Sequence, residues 1–293
     1  MVPSTPAPRA RGPRFAFPAL ILANVFLPLG PVLVRLSDVG PVAAAFWRLT
    51  LALPFLLLLA LPGLKAARPG ARDCGAMLLA GLFFAADLAT WHLGIPLTKV
   101  TNAAIFGNMS AILLPLWGLL VLRQIPRAPQ AVALILAAIG AAIMMGGSYE
   151  LSPHYLRGDL FCLLAGIFYT GYLLVVQNVR QRLNSWSILA GSSLTGALPL
   201  LLLALWLGER VMPGNWTPVI ALALSSQLIG QGLLTYAIAW FPPLVLGLSL
   251  LLQPVVSALF GWVLFHELLT PTDLIGACAV GVALVLVRLP GRA

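Results

Sequence analysis

The chain has 293 residues, of which 60% are hydrophobic and only 9% charged, with a net charge of +9. Soluble domains carry roughly a quarter charged residues, so this composition excludes a soluble globular domain and marks a polytopic membrane protein. The basic residues lie in short clusters between apolar runs, the spacing of topology signals and not of a nucleic-acid surface.

Residues 1–14 form a Pro- and Arg-rich tail with Arg9, Arg11 and Arg14, expected to be disordered and cytoplasmic. The run at 15–34 is long enough to span a bilayer and no convincing cleavage site follows it, so it reads as a first spanning helix and not as a secretory signal. Further runs follow at 41–61, 74–93, 99–121, 129–147, 159–179, 186–207, 217–240, 244–265 and 272–288, ten in all. The links are short and rich in Pro and Gly, which makes successive helices antiparallel and leaves no room for a soluble domain.

With the N-terminus inside, the inner segments hold Arg9, Arg11, Arg14, Lys65, Arg68, Arg72, Arg123, Arg127, Arg180, Arg182, Arg288 and Arg292, most of the 17 basic residues. Both termini are therefore expected in the cytoplasm. A shift of 143 residues lays Trp117-Gly118 on Phe260-Gly261 and the loop 123–130 on 266–273. Five helices per half invert the second copy. The fold class expected is an all-α membrane protein of ten transmembrane helices, as two inverted five-helix repeats. The first repeat covers 15–147 and the second 159–288, with a periplasmic linker at 148–158 and a cytoplasmic tail at 289–293.

Two polar stripes stand out near the C-terminus. Gln227 and Gln231 lie four residues apart, before Tyr236 and the hinge Phe241-Pro242-Pro243. Ser249, Gln253 and Ser257 follow at i, i+4, i+8 on the next run. Lipid offers an amide no partner, so such stripes either bond neighbouring helices together or face a wet cavity that takes a polar solute. For the stripes together the cavity is the reading adopted.

Asp87 is the only carboxylate well inside an apolar run, where it costs roughly 2.5–3.5 kcal/mol on insertion scales and must face protein or water. It is protonated, bound to a substrate ammonium, or tied to a neighbouring helix. Trp91 shares its face, and His92 is expected at the outer interface, with proton coupling through Asp87 or His92 the alternative. Arg48, inside the second run, either ties a helix end or Asp87 or binds a substrate carboxylate. Asn102 and Asn108 stand on different faces of the fourth run, and Tyr169 and Tyr172 form an aromatic stripe on the sixth, as packing or as a binding wall.

An enzyme is not indicated. His92, His154 and His266 are scattered and no H-E-x-x-H occurs, and Ser192-Ser193 lacks a G-x-S-x-G frame. Cys74, Cys162 and Cys278 form no C-x-x-C pair, so neither a metal nor a disulfide is expected, and no cofactor.

Three features together resemble the EamA-type transporters of the drug/metabolite transporter superfamily: ten spans, a five-plus-five repeat, and a closing segment with Gln253-Pro254, His266-Glu267 and Gly276. The second run, AAAFWRLTLALP, is similar to that family's second helix, with Arg48 at its usual arginine. The first repeat departs from the pattern, with Ala111 where the second has Pro254 and Arg123-Gln124 where it has His266-Glu267. The resemblance implies a monomeric secondary transporter of a bacterial inner membrane, exporting amino acids or similar small metabolites, with the lipid bilayer and a small-molecule substrate as partners and no nucleic acid. Efflux of drugs or purine-like compounds is the alternative within the superfamily, and a channel-like or structural membrane protein the alternative outside it. The expected substrate-binding set is Asp87, Trp91, Asn102, Tyr169, Tyr172, Gln227, Gln231, Tyr236, Ser249 and Gln253. Facilitated diffusion is expected over proton antiport.

Overall fold

The computed structural model describes residues 13–66, 69–98, 106–146, 154–265 and 271–286. Among these the chain forms ten helical segments and no strand. Six are long and apolar enough to cross a bilayer: α1 (Ala16–Leu36), α2 (Pro41–Ala66), α3 (Ala71–Leu97), α6 (Leu156–Val179), α7 (Ser185–Trp206) and α8 (Trp216–Ala237). The other four are apolar with shorter qualifying stretches: α4 (Ser110–Leu120), α5 (Ala128–Gly146), α9 (Pro243–Leu250, resuming as Leu252–Phe265) and α10 (Pro271–Leu286). Asn102, Lys99, His266 and Glu267 lie outside the described residues.

Helices α1 and α8 are among those that depart from regular α geometry. α1 breaks between Phe26 and Leu29, where the ring of Pro28 cannot donate into the hydrogen-bond ladder. α8 winds as a π-helix from Ala223 to Gln231. Within it the Ser225 hydroxyl donates back to the Ala221 carbonyl at 2.6 Å. Such wide turns cluster at functional sites because they re-aim side chains, and this one carries both Gln227 and Gln231.

The helices pair in a pattern that repeats after five. α2 packs on α7, α4 on α9 and α5 on α10, while α3 on α6 has its counterpart in α8 on α1. Glycines set several of these crossings. A Cβ at Gly81 of α3 would run into the Thr195 hydroxyl and come within 2.6 Å of the Ser192 carbonyl on α7, and one at Gly196 would sit 2.9 Å from the Gly81 carbonyl. Small residues at such contacts let backbones close in and gain dispersion energy that lipid cannot supply.

At one end of the bundle the α7–α8 loop straps onto the start of α2. Backbone N–H groups of Val42 and Ala43 donate to the Glu209 carboxylate at 3.3 and 2.8 Å. The carboxylate thus satisfies two of the donors that a helix start leaves without partners. The Trp47 indole donates to the Val211 carbonyl at 2.6 Å, and the N–H of Gly214 donates to Asp38 at 2.8 Å. That hydrogen bond, then those of Asn215 and the charge of Arg210, hold the Asp38 carboxyl below its ordinary value.

Candidate functional site

A cavity of about 80 Å³ opens where α1, α2, α3, α6, α8 and α9 meet the turn before α4. By the usual measure that is room for roughly five water molecules. One face of α3 supplies Phe84, Asp87, Leu88 and Trp91, spaced i, i+3, i+4, i+7. Arg48 of α2, Tyr169 of α6, Gln231 of α8 and Gln253 of α9 close the other sides, with Asn108 and Ser110 at the start of α4.

Arg48 is the most constrained of these groups. Its side chain is only 4% exposed, and its Nε donates to Gln227 Oε1 at 3.1 Å. Gln227 is fully buried and in turn donates to the Ser193 hydroxyl at 3.0 Å. The guanidinium lies 5.5 Å from the centre of the Phe84 ring, a cation–π contact that lowers the cost of holding the charge at this depth. This Ser193–Gln227–Arg48 relay uses one of the five guanidinium N–H donors, and the guanidinium borders the cavity.

Asp87 also lines the cavity. Among the described residues its carboxyl group takes part in no hydrogen bond, and the ion pairs are Arg182–Asp73 and Arg210–Asp38, so no hydrogen bond or ion pair joins Asp87 to Arg48. Gln231 donates to the Tyr169 hydroxyl at 3.2 Å, while its carbonyl Oε1 is buried without a partner. A guanidinium, a carboxyl group and an open acceptor therefore border one small space, with no hydrogen bond or ion pair between the first two. Polar groups at this depth are costly unless they meet a partner or water.

The structure gathers Asp87, Trp91, Tyr169, Gln231 and Gln253 around this space and puts Tyr172, Gln227, Tyr236 and Ser249 elsewhere, while Asn102 lies outside the described residues. Gln227, read as the twin of Gln231, stands behind Arg48 and outside the lining. Tyr172 is fully buried, stacked between Phe84 (4.6 Å between ring centres) and Tyr169 (5.8 Å), so it supports the wall from behind. Ser249 is buried against Asn24 and its own helix, donating to the Leu246 carbonyl at 2.7 Å; there the stripe bonds helices together. Tyr236 lies at the far end of α8, half-buried near Arg180, where the α6–α7 turn meets the hinge. His92, near the end of α3, is 1% exposed and packed within the bundle. Its Nδ1 donates to the Pro41 carbonyl at 2.8 Å, it ties α3 to the start of α2, and it does not border the cavity.

Three buried residues outside the expected set hold this architecture together. Asn24 is fully buried in α1 and joins it to α9, donating to the Leu20 carbonyl at 2.8 Å and to Ser249, and accepting from Gln253 at 2.9 Å. It was legible as the one amide in the middle of the first apolar run. Ser193, which lacks a G-x-S-x-G frame, ends the relay to Arg48. Gln177 donates to the Phe241 carbonyl at 2.8 Å and fixes the Pro242-Pro243 hinge, a contact that spans 64 positions of sequence and leaves no local signal.

Comparison with known proteins agrees with this architecture. The model of the EamA-like transporter family matches twice, over residues 15–146 and 156–289. Two proteins of Archaeoglobus fulgidus, each described as an uncharacterized transporter, are similar to this chain. One is 24% identical over 243 residues, covering 80% of this chain and 83% of its own; the other is 26% identical over 268 residues, covering 91% and 94%. A crystal structure described only as that of a protein shares the fold, with a TM-score of 0.78 at 17% identity over 95% of this chain and 98% of its own. With both halves matched, the chain belongs to the EamA-like transporter family, as a multi-pass membrane transporter.

Proposed function

We propose that this transporter exports amino acids, or small metabolites that carry both charges, across a bacterial inner membrane by alternating access around the Arg48–Asp87 cavity. The observation that carries the reading is that the Arg48 guanidinium and the Asp87 carboxyl group border one cavity with no hydrogen bond or ion pair between them. In this reading the free guanidinium donors take a carboxylate, and Asp87 with the unpartnered Gln231 Oε1 takes an ammonium. Tyr169, Trp91 and Gln253 bound the space left for a side chain. Asp87, Trp91, Tyr169, Gln231 and Gln253 are thus the proposed substrate-binding set, with Arg48 added to it.

Alternating access rests on the repeat. The helix pairing that recurs after five elements is what an inverted pseudo-two-fold produces, and in such transporters the site lies at the repeat interface. Both termini are cytoplasmic in this reading, the protein acts as a monomer, and transport runs down the solute gradient without an obligatory proton.

The test is counterflow in proteoliposomes, comparing an amino acid with its methyl ester and its des-amino acid. The zwitterion should move at least tenfold faster than either analogue, and Asp87→Asn should erase its advantage over the des-amino acid. Equal flux of all three would sink the two-charge reading. A pH gradient imposed at equal substrate should drive no accumulation. Gradient-driven accumulation that disappears in Asp87→Asn would make that aspartate a proton carrier. A second reading, efflux of apolar drug-like compounds, is favoured by an apolar cavity of about 290 Å³ between α4, α5 and α9 that meets the charged one at Asn108.

A further inference from the structure

A further depression, of about 490 Å³, lies on the outside of the bundle along the seam of α3 and α6, with Trp117 of α4 at its side. On α3 it runs along Arg72, Ala76, Leu79 and Phe83, spaced i, i+4, i+7, i+11 and therefore on one stripe. At 1.5 Å per residue, Arg72 to Phe83 spans roughly 16 Å, close to half of a ~30 Å hydrocarbon core. The groove thus reaches from one interface to about the midplane, the depth of a single leaflet.

Its chemistry is divided along that length. The deep part is apolar, walled by Leu79, Phe83, Leu174 and Val175. Its floor is tight, because Gly171 leaves room for the Phe83 ring, which a Cβ there would meet at 3.1 Å. The mouth is basic. Arg182 donates to Asp73 at 2.9 Å and to Asn178 at 3.3 Å, while Arg72 is exposed and makes no hydrogen bond or ion pair among the described residues. Two guanidinium groups thus face one carboxylate, leaving one net positive charge above an apolar slot one leaflet deep.

We infer that this groove is a binding site for an anionic phospholipid, one acyl chain lying along α3 and α6 and the phosphate held at Arg72 and Arg182. Charge complementarity selects the anionic headgroup. The depth selects a lipid over a soluble anion, which would leave the apolar slot empty. The groove backs directly on the transport cavity: Phe83 faces the lipid side and its neighbour Phe84 the cavity, both on α3. A bound lipid would therefore brace the helix that carries Asp87. The inference does not depend on which solute is carried.

The experiment uses the full chain, purified and delipidated. Lipid adducts are counted by native mass spectrometry and thermal midpoints are measured with phosphatidylglycerol, with phosphatidylcholine of the same chains, and with inorganic phosphate. Phosphatidylglycerol should bind more tightly and raise the midpoint more than phosphatidylcholine, and phosphate alone should do nothing. Arg72→Gln should weaken phosphatidylglycerol binding about fivefold, the effect of one basic residue at an anionic surface, with Arg72→Lys restoring it. Arg14→Gln, the same charge change at the start of α1, should leave binding unaltered. Equal binding of the two lipids, equal losses in Arg72→Gln and Arg14→Gln, or stabilisation by phosphate alone would each overturn the inference.

Discussion

Gln227 and Gln231 look equivalent in the sequence, and the structure gives them opposite duties, so truncating each to alanine separates architecture from binding. Gln227→Ala removes a hydrogen bond of 3.1 Å to a buried guanidinium and one of 3.0 Å to Ser193. Hydrogen bonds between membrane helices average about 0.6 kcal/mol and reach about 1.7. Taking the charged bond at the upper value and the other at the mean gives about 2.3 kcal/mol, before any cost of the void. Gln231→Ala removes one bond of 3.2 Å and also deletes an acceptor that has no partner, so its cost stays at or below about 0.6 kcal/mol. At roughly 2–4 °C per kcal/mol, the midpoint should fall by about 5–9 °C for Gln227→Ala and by about 1–2 °C for Gln231→Ala. Thermal unfolding in one detergent, followed by counterflow normalised to folded protein, makes the comparison. Gln231→Ala should keep its fold and lose flux. Equal midpoints for the two variants, or Gln231→Ala the less stable, would refute the division of roles.

The strap at the start of α2 offers a second test: Glu209→Gln should cost about 0.5–1 kcal/mol of stability, because a neutral amide caps the helix start less well, and an unchanged midpoint would mean that the loop does not hold α2. Because the folded Asp38 carboxyl lies below its ordinary value of 3.8, its contact with Gly214 contributes above that pH and is lost as pH falls through the folded value. Amide exchange at Gly214 should be protected from pH 5 to 8 and gain relative to its intrinsic rate only below about 4; a steady loss of protection from pH 8 to 5 would contradict this. Gly81→Ala should push α3 from α7 and cost about 1–3 kcal/mol, read as a lower midpoint; a neutral substitution would show that the crossing has slack. A reporter fused after Arg292 should read cytoplasmic and one near Ser152 external, and the same side for both would break the five-plus-five topology.

The apolar runs, their number and the positions of most helices follow from the sequence alone, because the bilayer demands about 20 apolar residues per span and forces the backbone to bond within each helix. Asp87 and Arg48 were also legible there, since a charge in an apolar run is too costly to be incidental. Tertiary structure decided which polar residues share a space. Hydrophobic patterning places a residue on a helix but not the helix against its neighbours, so it could not distinguish Gln227, bound to a guanidinium 179 positions away, from Gln231 at the cavity. Nor does it show that Tyr172 is sealed between two rings, or that His92 turns to the Pro41 carbonyl 51 positions before it. The π-helical stretch of α8 belongs with these, because the buried partners of Gln227 and Gln231 come from α2, α7 and α6, helices that meet α8 only once the bundle is assembled.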